Sequence, residues 1–263
     1  NSWYKLSLHV FEIAEKLNIP IAVKLHNFRY DCANSLHFRN EQVCHDCSIS
    51  NRTPGILNRC YENSFTKSVI VTNYSKKYFE ILKKEKVKIL VLNNFHKNYL
   101  AKLGVDENKV YILPNNITTI DDSSDDLLFT KSNQFTFAGR ISKEKGVEEL
   151  IQAWLNSKGP HSNYKLKIIG DGELLDYLSN KYINEKSIEF LGFLEHDMVL
   201  KEFKKSKIVI TATKVYENQP MLLCEASYLS VPSIFPKTGG ISEFFPSNYK
   251  LSFEQYNYFD LTK

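Results

Sequence analysis

The sequence predicts an α/β fold with a parallel, doubly wound sheet in its second half, and two observations predict it. Short apolar runs at 135–139, 165–170, 188–193, 207–213 and 232–236 alternate with helical segments near 147–157, 173–183, 198–206 and 220–230, the rhythm of parallel strands joined by crossover helices. Eight of the ten glycines lie in this half, and Gly139, Gly170, Gly192, Gly239 and Gly240 each fall at or just after the end of a run. Ligands of such sheets gather at the carboxyl ends of the strands. The candidate site residues therefore share one edge of one sheet.

The first half is less regular. Residues 6–17 carry apolar side chains at helical spacing, and Ile19-Pro20-Ile21-Ala22-Val23-Lys24-Leu25 reads as a strand ending at His26-Asn27. Residues 28–62 form a long, polar, cysteine-bearing stretch, and a loop of that length is either functional or held by something. Arg29 and Phe38-Arg39 within it read equally as acceptor-facing groups and as solvated surface. Residues 64–84 read as a helix, although Val69-Ile70-Val71-Thr72 alone would suggest a strand. A buried strand is expected at 88–92, a helix at 95–103 stopped by Gly104, and a strand at 110–113 ending at Pro114-Asn115. The acidic, unpatterned Asp121-Asp122-Ser123-Ser124-Asp125-Asp126 marks a domain boundary. The expected organisation is a partial N-terminal lobe over 1–118, a linker over 119–130 and a second lobe over 131–263.

Within the second lobe the informative stretch is Glu217-Asn218-Gln219-Pro220-Met221-Leu222-Leu223-Cys224-Glu225-Ala226. Pro220 has a pre-set φ and no N–H, which suits the first position of a helix continued by the apolar run to Leu229. Gln219 is a poor N-cap, so the N–H groups of Met221 and Leu222 are open to an external anion, and phosphate is the obvious candidate. Glu217 precedes that anion site and Glu225 lies just over a turn inside the helix. A carboxylate accepts from neighbouring hydroxyls, and hydroxyls flanking a phosphate describe a nucleotide sugar.

These residues resemble the retaining glycosyltransferases of family four, whose signature is a Glu, seven residues, then a Glu-Ala opening a helix. Phe137-Ala138-Gly139-Arg140 followed by Lys145-Gly146, the run Ile168-Ile169-Gly170-Asp171-Gly172, the Leu191-Gly192-Phe193 turn and Thr238-Gly239-Gly240-Ile241-Ser242-Glu243 match the donor half of that family in order and spacing. The resemblance implies the GT-B fold, two Rossmann-like lobes with a cleft between them, here with an incomplete N-terminal lobe. It implies transfer with retention from a UDP- or GDP-sugar to a glycan, lipid-linked or polysaccharide acceptor, with no cofactor required. Glu217 would contact the transferred sugar and Glu225 the ribose diol. Arg140 and Lys145 supply positive charge where the departing diphosphate accumulates negative charge, and no Asp-x-Asp motif suited to a bridging metal stands near them. Gly139 leads into that pair, Met221, Leu222 and Leu223 open the helix, Gly239-Gly240 lets backbone approach the donor, and Gly192-Phe193-Leu194 would meet the base. His26 matches a cleft histidine near the transferred sugar; a hydrogen-bonded core histidine is the alternative. Asp171 reads only as a turn-former beside its glycines.

With 263 residues, 43% hydrophobic and 24% charged, the composition is that of an ordinary globular protein. A formal charge of +4 spread along the chain is too mild to argue for nucleic acid, and a cytoplasmic protein, peripheral on the inner face of a membrane, is expected. No apolar run is long enough to span a bilayer, and the opening Asn1-Ser2-Trp3-Tyr4-Lys5 does not read as a signal peptide. Cys32, Cys44, Cys47 and Cys60 crowd into one region with Cys44 and Cys47 at metal-ligand spacing. A structural zinc is one reading; packed thiols, or a disulfide in an oxidising compartment, are the others. Family members with a similar His-Asn-x-Arg, Cys, Phe-Arg, Cys-x-x-Cys pattern are intracellular, which favours reduced sulfur. Only three strands precede the linker, against about six in an intact Rossmann lobe, and the chain lacks an initiator Met. Truncation at both ends is expected, which keeps open a non-catalytic donor-lobe relic or partner subunit and, further off, a sugar-nucleotide 2-epimerase.

Overall fold

A computed structural model describes residues 7–47, 51–117, 131–157 and 163–262. The chain forms two compact units, Asn1–Pro114 and Asn115–Lys263. The expected linker, 119–130, lies outside the described residues.

In the first unit, helix α1 (His9–Lys16) leads to strand β1 (Ile21–Lys24). A two-strand hairpin, β2 (Phe38–Arg39) and β3 (Gln42–Val43), and the short helix α2 (Thr53–Leu57) occupy the cysteine-bearing stretch. Helix α3 (Phe65–Lys83), strand β4 (Val87–Val91), helix α4 (Asn94–Lys102) and strand β5 (Val110–Ile112) follow, and the three long-range strands pair in parallel in the order β1-β4-β5. The β-branched run at 69–72 is helical because burial follows the helical period: Ser68, Val71, Thr72, Ser75, Tyr78, Phe79 and Leu82 face inward. Ser64 caps this helix by accepting from Lys67 N at 3.4 Å, and Asn93 caps α4 by accepting from His96 N at 2.8 Å. The loop after β1 is held by its own aromatic residues. Phe28 and Tyr30 are fully buried, the Tyr30 hydroxyl meets His96 Nε2 at 2.9 Å, and the Tyr99 hydroxyl donates to Asp31 Oδ2 at 2.6 Å.

The second unit is a six-stranded parallel sheet: β6 (Gln134–Ala138), β7 (Lys165–Ile169), β8 (Ile188–Gly192), β9 (Ile208–Ile210), β10 (Ser233–Lys237) and β11 (Ser252–Glu254). Its order is β8-β7-β6-β9-β10-β11, the doubly wound arrangement whose winding direction reverses between β6 and β9. Helices α5 (Val147–Asn156), α6 (Leu175–Lys181), α7 (His196–Lys205) and α8 (Met221–Tyr228) make the crossovers. Two cores result: Phe137, Ile141, Leu150, Ile151, Leu166 and Ile168 on one side, and Leu200, Phe203, Leu223, Ala226, Phe235 and Ile241 on the other. The edge strand β11 has no expectation behind it in the sequence, because three residues with a single apolar side chain among them carry no readable period. No described helix is long and apolar enough to cross a membrane.

Candidate functional site

The reversal point of the second sheet is where chemistry-bearing side chains meet. The chain leaves β6 through Gly139 and Arg140 and turns through a 3-10 segment, Lys143–Lys145. It leaves β9 into residues 211–220, which carry Thr213 and Glu217. Lys145 Nζ forms an ion pair with Glu217 Oε1, both side chains about a quarter exposed or less, and Thr213 Oγ1 donates to the same oxygen at 3.2 Å. Glu144 ties the two loops: its carbonyl accepts from Lys214 N at 2.8 Å and Thr213 Oγ1 at 3.4 Å, while its carboxylate stands 3.4 Å from Arg140 Nη2. Arg140 itself projects outward, its side chain 59% exposed.

Two glycines make this approach of loops possible. A Cβ on Gly146, at φ +65°, would sit 2.2 Å from the Ala212 carbonyl oxygen, and one on Gly239, at φ +59°, would sit 2.3 Å from that of Glu217. The Gly240 N–H then donates to the Glu217 carbonyl at 2.8 Å. Both loops are thus packed backbone against backbone, which fixes where the Lys145 and Glu217 side chains begin.

Helix α8 starts at Met221 rather than at Pro220, a correction to the expectation. Pro220 is the N-cap residue with φ −79° and ψ 86°, and no side chain caps the helix. Its carbonyl accepts from Leu223 N and Cys224 N, both at 3.0 Å, so the open N–H groups are those of Met221 and Leu222, as the sequence suggests. Gln219 is engaged elsewhere: its amide exchanges two hydrogen bonds with the Asn115 backbone, at 2.5 and 3.1 Å. One turn inside α8, Glu225 is 5% exposed. Its Oε1 accepts from His196 Nε2 at 3.1 Å, and its Oε2, though buried, has no hydrogen-bond partner among the described residues. Ser142 Oγ, between Arg140 and Lys145, is a second buried polar atom of this kind. Gly192 turns the chain at φ +65°, Phe193 is 69% exposed and Leu194 packs partly on the second core. Asp171 caps its own turn by accepting from Gly172 N at 2.7 Å.

The structure thus brings Lys145, Glu217, Gly239 and Gly240 together, joins Arg140 to them through Glu144, and places Glu225 with His196. The sequence reading missed Thr213, Glu144 and His196. None belongs to a spaced motif, and His196 lies 29 residues from its partner. A cavity of about 1440 Å3 lies away from all of these, against α5 and the 3-10 turn Asp260–Thr262, with Phe135, Trp154, Ile208 and Tyr258 in its wall. None of the expected donor-side residues lines it, and its wall is mainly apolar with Lys207 as its one cation.

In the first unit, His26 stands just beyond β1, its pKa held below the ordinary histidine value by burial and then by Lys24. Arg39 pairs with Asp46. Zinc, packed thiols and a disulfide are the readings the sequence leaves open for Cys32, Cys44, Cys47 and Cys60; among the described residues no three His, Cys, Asp or Glu side chains converge to hold a metal ion. Cys32 donates to Asn34 Oδ1 at 2.9 Å, and burial pushes its thiol up to about 12. Cys47 and Cys60 are pushed up by burial too, and all five cysteines are free.

A parallel, doubly wound sheet with crossover helices of this kind is a Rossmann-like lobe, the building block of the GT-B glycosyltransferase fold. Residues 119–263, more than half of the chain, match the glycosyl transferases group 1 family, and the chain belongs to that family. It is 32% identical over 155 residues to the amylovoran biosynthesis glycosyltransferase AmsD of Erwinia amylovora, covering 56% of this chain and 42% of that protein. Among solved structures, Anabaena HepE in complex with UDP superposes with a TM-score of 0.64 at 15% identity, over 96% of this chain and 63% of that one. The pneumococcal O-GlcNAc transferase GtfA in complex with UDP and GlcNAc gives 0.62 at 17%, over 96% and 45%. The chain therefore spans less than two thirds of the length of each.

Proposed function

We propose that this chain carries the donor-binding lobe of a retaining glycosyltransferase that moves a sugar from a UDP- or GDP-sugar to a glycan, lipid-linked or polysaccharide acceptor. The observation that carries the reading is the Lys145–Glu217 ion pair at the sheet's reversal point. In it a cation suited to diphosphate and an acid suited to sugar hydroxyls hold each other until a molecule bearing both groups arrives. An incoming pyrophosphate draws Lys145 toward its oxygens, with Arg140 released from Glu144 as a second cation and the Met221 and Leu222 N–H groups completing the cradle. Glu217, freed from Lys145 but still bonded by Thr213, accepts from the sugar. Glu225 takes the ribose, and the turn at Gly192-Phe193-Leu194 faces the base.

As the sugar–phosphate bond breaks, negative charge grows on the diphosphate, and Lys145, Arg140 and the helix amides stabilise it without a metal ion. The acceptor oxygen forms its bond to the anomeric carbon on the face the diphosphate leaves, and its proton passes to the departing phosphate. The solved neighbours that hold UDP support uridine as the base, and a Salmonella typhimurium relative named as a lipopolysaccharide 1,2-N-acetylglucosaminetransferase supports a glycan acceptor.

The test is a thermal-shift series with UDP, GDP and ADP and their glucose and N-acetylglucosamine derivatives, followed by measurement of nucleotide release and product anomeric configuration. UDP or GDP should raise the melting temperature and Lys145→Ala should remove most of that rise. Flat melting curves with every nucleotide would end the reading.

A further inference from the structure

Glu225 presents a chemical problem that the donor reading alone does not solve. A carboxylate has two equivalent oxygens and a broad, roughly two-fold terminal torsion, so an acid facing a polyol has many orientations to lose on binding. Here one oxygen is already held. His196 opens α7, three and four residues before Val199 and Leu200, which are buried in the same core as Leu223 and Ala226 of α8. That helical register directs residue 196 toward α8, where its Nε2 lies 3.1 Å from Glu225 Oε1. A carboxylate oxygen only accepts, so Nε2 carries the hydrogen. The other oxygen, Oε2, is buried and without a partner, and native proteins retain such an acceptor where a function requires it.

Resting on the nucleotide-sugar reading above, we propose that His196 is the positioning residue for ribose selection. It clamps Oε1 so that Oε2 is the one atom of Glu225 presented to the ribose hydroxyls. His196 itself is 43% exposed in its side chain and follows the Gly192-Phe193-Leu194 turn by two residues, so it stands at the entrance between the base-facing backbone and the buried acid. Ribose recognition then depends on a locked torsion as well as on charge. A Glu225 released from His196 remains present and acidic but spreads its acceptor over orientations that a deoxysugar tolerates as well as a ribose does.

The experiment compares binding of UDP with that of 2′,3′-dideoxy-UDP, by calorimetric titration, for wild type, His196→Ala and His196→Gln, alongside the melting temperature of each free protein. Wild type should prefer UDP by tenfold or more. His196→Ala should cut that preference at least threefold, and His196→Gln, whose amide can donate from nearly the same place, should restore most of it. An unchanged preference in His196→Ala overturns the inference and leaves the donor site standing. Equal weakening of both ligands, with a lower melting temperature and no rescue by Gln, also overturns it, by showing a packing role alone. If wild type binds neither nucleotide, the donor reading fails and the inference fails with it.

Discussion

Replacing Glu225 with methionine should make the empty protein more stable and the liganded protein less so. The side chain is 5% exposed and one of its oxygens is unpaired. A buried acceptor left unsatisfied costs about 1–3 kcal/mol. The bond to His196 is to a carboxylate and contributes about 1.5–3 kcal/mol, but most of it is replaced by water, because that imidazole is 43% exposed. Methionine fills a similar volume without a polar terminus, so the second unit should gain about 1 kcal/mol. For a domain of roughly 150 residues that raises the melting temperature by about 2–4 °C. Nucleotide binding loses a charge-assisted hydrogen bond of about 1.5–3 kcal/mol, or roughly 10- to 150-fold in affinity. At a UDP concentration 100 times the wild-type Kd, ligand stabilises the wild type by about 2.7 kcal/mol, and a tenfold weaker variant by only about 1.4 kcal/mol. Calorimetric melting with and without UDP reads both effects at once. A free protein that melts several degrees lower, or a UDP increment equal to that of wild type, would refute the reasoning.

Three further outcomes follow from the same geometry. Glu217→Ala should cut turnover at least a hundredfold while changing UDP affinity less than threefold, about 0.6 kcal/mol, since it removes a sugar contact and leaves Lys145 for the phosphate; single-turnover rates and nucleotide titration check it. Gly146→Ala must push the Ala212 carbonyl from 2.2 Å to beyond 3.0 Å and adopt φ +65°; it should cost about 2–4 kcal/mol, read as a lower melting temperature with Lys145 activity lost in parallel. The buried His96 imidazole is pushed down to about 3 by burial, then by His26 and His37. The folded state therefore stays neutral while the unfolded state takes a proton below pH 6.5, so stability is full above that pH and falls by up to about 1.4 kcal/mol per pH unit toward 3. An acid melting series should show that limb, and His96→Gln should make it shallower.

The second unit was legible because its strands and crossover helices alternate, with glycines at or just beyond the ends of β6, β7, β8 and β10, and the backbone contact at Gly239 is what such a glycine permits. The helix at 65–83 was legible against its β-branched centre because burial spacing outweighs propensity. Strand β11 was not, being too short to show a period, and neither was the start of α8, where proline at N1 and proline at N-cap give the same residue order. The cysteine spacing left zinc and packed thiols both open because spacing is set by chain, not by space: two Cys separated by two residues can share an ion, and only the fold shows that Cys32 lies against Asn34. His196 left no trace in the sequence, since its partner is reached across two helices.

The two pairings at the sheet's reversal point, Lys145 with Glu217 and Arg140 with Glu144, give the lobe internal counterions. A bare cluster of cations would collect chloride or inorganic phosphate from the cell, and its grip on any anion would fade steeply with ionic strength. Here each cation is already engaged by a carboxylate, so a simple anion must compete with that acid for the cation and is held more weakly than by a bare cluster.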